Sequence, residues 1–134
     1  MMAVKRITID CVKIEDEPGS LQRLLASAAE AGVDLLCFAA FGAGRGHGHV
    51  YLSAKNHKVF RACAEEAGID TKDAAGFMIQ GSDRPGAAAK VLKKLADAGI
   101  NGVAGAAMVC DGQYQMLIVV DARDGGEAEK ALGK

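Results

Sequence analysis

Residues 16–34 read DEPGSLQRLLASAAEAGVD, and residues 83–101 read DRPGAAAKVLKKLADAGIN. The two stretches align without a gap at an offset of 67 residues, which is half of the 134-residue chain. Both begin with Asp-x-Pro-Gly, continue with apolar residues at helical spacing and end with Ala-Gly. A repeat at a fixed period indicates copies of one structural unit. The sequence therefore predicts two units, one over residues 1–74 and the other over residues 75–134.

The pattern around the first copy predicts the element order β-α-β-β-α. Apolar and polar residues alternate over residues 7–14, as they do in a strand. Asp16 is a residue type that caps helix N-termini, and Pro18 suits a first helical turn. The later predicted elements are a strand over 33–41, a glycine-rich turn over 42–46, a strand over 47–54 and a helix capped by Asn56.

The second copy repeats this order until the sequence ends. Its predicted elements are a strand over 76–82, a helix opened by Asp83, a strand over 100–110, a tight turn at Asp111 and Gly112, a strand over 114–121 and a short helix over 125–132. We therefore expect an α+β fold of two ferredoxin-like βαββαβ units in tandem. The fourth strand of the first unit is expected within 69–75, whereas the second unit lacks or shortens its final strand. The neighbouring strand would then keep an unpaired edge, which invites another chain to cover it.

Small apolar residues complete the predicted core. In the helix that follows Asn56, Val59, Cys63 and Ala67 share one side, which we expect to face the core. The four cysteines form no CxxC pair, so free thiols are expected. We expect Cys11 and Cys110 to be buried in strands rather than to act as nucleophiles.

Composition and charge exclude several classes of function. Half of the residues are hydrophobic, a quarter are charged, and 16 Lys and Arg are balanced by 17 Asp and Glu, for a net charge of -1. No basic stripe is available for nucleic acid. No apolar stretch reaches the roughly 18–20 residues that span a bilayer, and the N-terminus lacks the apolar region of a signal peptide. A cytoplasmic protein with no nucleic-acid or membrane partner is expected.

The duplicated segments carry a resemblance. Asp-x-Pro-Gly opening a helix, that helix ending in Ala-Gly-(Val/Ile)-(Asp/Asn), and a following hairpin resemble the ACT domain, and both copies fit. The chain is most similar to small stand-alone tandem-ACT proteins without a catalytic domain. The resemblance implies a non-enzymatic regulatory protein that binds a small effector, most often an amino acid, where two units meet. It also implies a homodimer and a regulated enzyme or other protein partner.

The resemblance places the effector near the loop between the first strand and first helix of each unit. Those loops contain the following candidate ligand-binding residues: Asp16, Glu17, Pro18, Gly19, Ser20 and Leu21 in the first copy, and Asp83, Arg84, Pro85, Gly86, Ala87 and Ala88 in the second. Elementary chemistry agrees, because a helix N-terminus exposes backbone N–H groups and a partial positive charge to an anion. A glycine there lets a ligand approach the backbone closely. The alternative is that these loops only cap helices.

One further position distinguishes the two copies. Asn101, at the start of the second strand, can donate and accept hydrogen bonds, whereas its counterpart Asp34 can only accept when ionised. The two sites are therefore predicted to differ chemically. Both Asp34 and Asn101 are candidate ligand-binding residues, and recognition of a carboxylate or amide is expected to involve Asn101.

A metal-binding sensor is the alternative function. His47 and His49 share one face of a strand, and two imidazoles at that spacing can hold a late transition metal. Only Cys37 or His57 offers an obvious further ligand, and the second copy carries Tyr114 and Met116 at the aligned positions. A small enzyme using a pocket is a third hypothesis, although no catalytic motif supports it. No cofactor is expected.

Overall fold

The computed structural model describes residues 2–42 and 46–133. Over these residues the chain forms six strands, four α-helices and a short 3-10 turn at Ala122–Asp124. The elements are, in chain order, β1 Ala3–Glu15, α1 Ser20–Glu30, β2 Leu35–Gly42, β3 His47–Ala54, α2 His57–Glu66, β4 Thr71–Ser82, α3 Ala87–Asp97, β5 Gly102–Cys110, β6 Gln113–Asp121 and α4 Gly125–Leu132. Residues 43–45 of the predicted glycine-rich turn lie outside the described residues.

Two compact units share these elements, and the long strands β1 and β4 contribute to both. One unit is Thr8–Asp73, with strands in the order β2-β3-β1 followed by the start of β4. Antiparallel pairing sets Val12 opposite Val50 and Asp10 opposite Leu52. Residues of β1, β3, α1 and α2, together with Val33 between α1 and β2, form one core, namely Val12, Leu24, Ala28, Val33, Val50, Leu52, Ala54, Phe60 and Ala64.

The other unit is Met1–Ile7 with Ala74–Lys134. Here the start of β1 lies beside β4, which pairs with β6, which in turn pairs with the edge strand β5. Its core consists of Ala75, Phe77, Ile79, Val91, Leu95, Ile100, Tyr114, Met116, Ile118, Val120, Ala128, Ala131 and Leu132. The division into 1–74 and 75–134 stays a prediction, and the structure groups the N-terminal residues with the C-terminal half.

The predicted α+β fold of two ferredoxin-like units is confirmed. The expected open edge beside β4 is wrong, because the N-terminal part of β1 occupies the place of the missing strand. Met2 and Val4 pack against the core of that unit. The strands predicted at 69–75 and 76–82 are one continuous strand, β4, so the chain passes between the units without a loop.

Two local predictions on the helices are corrected. Asp16 and Asp83 are not caps, because the N-cap positions of α1 and α3 are Gly19 and Gly86, with no side-chain cap hydrogen bond. The Asp-x-Pro-Gly segment instead forms a turn before the helix. The prediction for α2 is confirmed at its start, where the amide of Val59 donates to the Asn56 side chain at 3.2 Å.

The buried face of α2 also differs from the prediction. Phe60 and Ala64 are buried, whereas Val59 is exposed, so the core-facing side lies one residue further along the helix. All four cysteines are free thiols. Burial raises the pKa of Cys11 and of Cys37 above the usual value for a thiol. Cys110 is exposed, contrary to expectation.

None of the helices in the described parts of the chain has the length and apolar character needed to cross a bilayer.

Candidate functional site

We call the loop that precedes α1, with Gly19, the first glycine corner, and the loop that precedes α3, with Gly86, the second. An arginine side chain covers the first glycine corner. Gly19 has φ 92°, and the turn before it is closed by the Ser20 amide donating to the Glu17 carbonyl at 3.2 Å. A Cβ atom on Gly19 would lie 2.7 Å from Nη1 of Arg23. Nη2 of Arg23 donates to Glu17 Oε1 and Ser20 Oγ, both at 3.3 Å. The guanidinium therefore lies over the backbone that the resemblance assigns to a ligand.

The second corner has the same backbone and no cover. Gly86 has φ 84°, and the Ala87 amide donates to the Arg84 carbonyl at 3.1 Å. A Cβ atom on Gly86 would meet nothing within 4 Å. Arg84 aligns with Glu17 of the first copy, so it cannot pair with Lys90, which aligns with Arg23. Within the part of the chain that the structure describes, neither Arg84 nor Lys90 forms an ion pair.

A cavity of about 290 Å³ lies beside this open corner. Its lining is cationic, since Arg84, Lys90 and Lys94 contribute to it and no Asp or Glu does. The other lining residues are Met2, Gly81, Ser82, Pro85, Ala87, Val91 and Tyr114. All of them belong to the unit of Met1–Ile7 and Ala74–Lys134.

Tyr114 places a polar group at this cavity. Its side chain packs over Gly81, where a Cβ atom would lie 2.8 Å from the hydroxyl oxygen. Tyr114 is only 8% exposed. No hydrogen bond to its hydroxyl is found among residues 2–42 and 46–133. Since every fully covered side-chain N or O atom in the described structure has a partner, the hydroxyl keeps access to solvent beside Gly81.

The cavity beside the first corner has the opposite charge pattern. It measures about 240 Å³, and its lining includes the acidic residues Glu15, Asp16 and Glu17 together with His49. The remaining lining residues are Ile14, Ser20, Leu21, Ala40, Phe41, Gly42 and Gly48. A more open depression of about 670 Å³ runs along α1 and includes Gly19.

The two cavities differ in a pair of facing residues on neighbouring strands, one large and one glycine, which we call the reciprocal pair because the glycine is on the opposite strand in the two units. Gly81 is opposite Tyr114 in the β4–β6 ladder, and the aligned Ile14 is opposite Gly48 in the β1–β3 ladder. Tyr114 thus corresponds to Gly48, not to His47 as the ungapped alignment suggested. The large side chain comes from one strand in the first unit and from the other strand in the second.

Asp34 and Asn101 are not brought to the corners of their own units. Each follows the C-terminal end of a helix whose N-terminal end carries the glycine, and 11 helical residues span about 16 Å. Asp34 pairs with Lys55 Nζ at 2.7 Å. This hydrogen bond and the nearby ammonium charge lower the pKa of Asp34. Asn101 is exposed. Their role in binding stays a prediction.

The remaining predicted residues surround the corners in different ways. The amide of Asp16 donates to the Gly46 carbonyl at 3.0 Å, and the amide of Asp83 donates to the Gly112 carbonyl at 2.9 Å. These bonds tie each corner to the tip of the neighbouring hairpin. The side chains of Pro18, Pro85 and Ala88 are exposed, and Leu21 lines the first cavity.

The histidine pair lies on β3 with both side chains exposed. In the described structure, the only group of three residues that could hold a metal ion is Asp10, His57 and Asp73, which includes neither His47 nor His49. Metal binding by the pair therefore stays a prediction.

Sequence reasoning missed a buried charge network at α2. Asp10 is fully buried and accepts hydrogen bonds from His57 Nδ1 at 2.9 Å and from Arg61 Nε at 2.5 Å. Arg61 also donates to Asp73. The signal was present in the sequence, because Asp10 alternates with Val12 on the inward side of β1. An acidic residue on an apolar face calls for a buried partner.

The fold is that of two ACT units in tandem. The regulatory subunit of aspartate kinase from Thermus thermophilus matches it at TM-score 0.68 and 18% identity, over 98% of this chain and 94% of that one. Protein BT0572 from Bacteroides thetaiotaomicron matches at TM-score 0.75 and 15% identity, over 95% and 88% of the two chains. Aspartate kinase from Clostridium acetobutylicum matches at TM-score 0.63 and 16% identity, over 98% of this chain and 33% of the enzyme.

No family model and no curated protein sequence matches the chain. At these identities, the structural matches establish the fold.

Proposed function

We propose that this chain is a non-catalytic regulatory protein that binds a small effector, an amino acid in the first instance, at its glycine corners. The observation that carries the proposal is the open corner at Gly86, beside a cavity of about 290 Å³ with charged and polar lining residues. Small-molecule sites combine a concave surface with a few converging polar groups. The placement of the effector where two units meet stays a prediction.

Helix geometry explains why a carboxylate suits this corner. The Ala87 amide already donates to the Arg84 carbonyl, but the following first-turn amides of α3 have no carbonyl partner within the helix, and the helix dipole makes that end partially positive. Gly86 has no Cβ, and nothing else occupies the space where one would lie. A ligand carboxylate can therefore come within hydrogen-bonding distance of the backbone, with Arg84 beside it.

A regulatory protein of this kind acts by changing the activity of another protein. A regulatory subunit of an aspartate kinase has the same fold, and this chain matches one third of a complete aspartate kinase. We propose that this non-catalytic chain binds a second protein, an enzyme or another protein, and regulates it. The effector can transmit a signal only if it binds two conformational states with different affinities.

A thermal-shift screen with the twenty amino acids tests the proposal. We expect one or a few amino acids to raise the melting temperature, because a ligand that binds only the folded state stabilises it. The same ligand should lose most of its effect with Arg84→Gln and keep it with Arg123→Gln, an exposed arginine outside the cavity. A shift produced only by nickel, copper or zinc, and lost in the His47→Ala, His49→Ala double variant, would favour the metal sensor instead.

We also propose a homodimer, formed through the edge strand β5. Its sequence GVAGAAMVC carries no charge, and every residue except Ala104 is exposed, including Val103, Met108 and Val109. An exposed, uncharged edge strand readily pairs with another strand. Two copies of β5 could pair antiparallel around a two-fold axis. Because β5 has no charged residue, this pairing would place no like charges opposite each other.

Charge placed on this edge is expected to dissociate the dimer. Ala106 lies near the middle of β5, so Ala106→Lys would bring two ammonium groups close together across a symmetric pair. We expect sedimentation equilibrium to show a dimer dissociation constant at least about tenfold higher than that of the unmodified chain. Gln115→Lys adds the same charge to the exposed side of β6 and should leave the dimer intact. Equal effects of both variants would place the interface elsewhere.

A further inference from the structure

We propose that the cavity beside Gly86 binds a small organic dianion, a dicarboxylate or a phosphate monoester, in preference to a neutral amino acid. This inference rests on the proposed function and specifies the ligand class of one of its two corners. Arg84, Lys90 and Lys94 line the cavity, and no carboxylate does. An anion would meet the complementary charges of Arg84 and Lys90 there, whereas an α-ammonium group would face these two like charges.

The comparison between the copies shows how this charge pattern arises. In the first copy, Glu17 binds Arg23, and the pair covers Gly19. In the second copy, the aligned residues are Arg84 and Lys90, two cations that cannot form such a pair, and no atom lies within 4 Å of a Cβ placed on Gly86. A bound dianion would supply the negative charge that Glu17 supplies in the first copy. Charge-assisted hydrogen bonds of this type are about twice as strong as neutral ones.

Tyr114 gives an independent indication that the cavity receives a polar ligand. Its side chain is nine-tenths buried, yet no hydrogen-bond partner for its hydroxyl is found in the described parts of the chain. Tyr114 lines the cavity, so its hydroxyl can donate a hydrogen bond to a ligand oxygen there. The volume of about 290 Å³ lies near the lower limit for small-molecule sites, which favours a compact ligand.

Calorimetric titration with succinate and aspartate tests the inference directly, because the two ligands share a carbon skeleton and differ only by the α-ammonium group. We expect succinate to bind about tenfold more tightly than aspartate, since that group would face Arg84 and Lys90 without a carboxylate. Inorganic phosphate, as a second probe, distinguishes a phosphate-selective cavity from a dicarboxylate-selective one. Either preference over neutral threonine supports the dianion site.

Two lysines on α3 provide matched variants. Lys90 lines the cavity, whereas Lys93 is exposed and pairs with Asp97 at 2.8 Å. Lys90→Gln should weaken binding of the preferred dianion about tenfold, and Tyr114→Phe should weaken it several-fold, while Lys93→Gln should change it less than twofold. Circular dichroism verifies that each variant is folded.

The outcomes separate this inference from the proposed function. Tighter binding of aspartate or threonine than of succinate and phosphate, with loss on Lys90→Gln, would overturn the dianion site and support amino-acid binding at the same corner. Equal weakening by Lys90→Gln and Lys93→Gln would overturn it as well, because the attraction would then be a general surface effect. Binding of no small molecule at all would overturn both proposals.

Discussion

Asp10→Ala is expected to lower the free energy of unfolding by about 3 kcal/mol. Asp10 is 0% exposed and accepts hydrogen bonds from His57 and Arg61, so its removal leaves both donors without their buried acceptor. Loss of one partner from a buried ion pair typically costs about 3–5 kcal/mol. We expect the lower end here, because His57 and Arg61 are about one-third exposed and can recover some contact with water. Urea denaturation followed by circular dichroism measures the difference.

The outer end of the same network supplies the control. Asp73 also accepts a hydrogen bond from Arg61, but its side chain is mostly exposed. Exposed ion pairs contribute about 0–1 kcal/mol, so Asp73→Asn should change stability by less than about 1 kcal/mol. If Asp10→Ala cost no more than Asp73→Asn, the network would contribute little to holding α2 on the sheet.

The repeated segments made most of the fold predictable. Short-range rules found the elements whose causes are local, such as the Asn56 cap and the turn at Asp111 and Gly112, where both residues have positive φ. The extent of β1 was not predictable in this way. Residues 3–7 join the second unit because its core lacks a strand, which is a long-range effect without a signal in the local pattern.

The predicted starts of α1 and α3 and the predicted buried face of α2 were wrong for a similar reason. Asp16 has the chemistry of a cap, but the turn that follows places Gly19 at the N-cap position, and local composition does not reveal that shift of three residues. On α2, Phe60 has a larger apolar side chain than Val59, and burial of the larger side chain decides which face packs.

The candidate site was predictable in position and less so in character. Both corners were identified from the repeat, and the exchange of Glu17 for Arg84 is visible in the alignment. That Arg23 covers Gly19 depends on a side-chain conformation. The role of Tyr114 depends on the strand register, in which Tyr114 corresponds to Gly48. The ungapped alignment instead pairs Tyr114 with His47, one position earlier. The register between neighbouring strands was therefore the feature that could not be predicted from the sequence.

The second large effect is expected when Gly81 and Tyr114 of the second unit are replaced by isoleucine and glycine, the residues found at Ile14 and Gly48 of the first unit. Gly81→Ile places a side chain where Tyr114 lies, with a Cβ 2.8 Å from the hydroxyl oxygen and 2.9 Å from two ring carbons, and such overpacking costs about 1–3 kcal/mol. Tyr114→Gly removes a buried aromatic side chain and should cost about 4 kcal/mol. The double variant recreates the combination of Ile14 and Gly48, so the new isoleucine can occupy the space vacated by the ring.

We therefore expect the double variant to be about 2 kcal/mol more stable than the sum of the single effects predicts, which is within the usual range for residues in contact. Denaturation of the four proteins measures this coupling. Gly81→Ile combined with Val12→Ala, which changes the other core, should be additive. Additivity of Gly81→Ile with Tyr114→Gly would contradict the reciprocal packing. The double variant should also bind the preferred anion more weakly, because it retains the cationic lining of the cavity but lacks the hydroxyl beside Gly81.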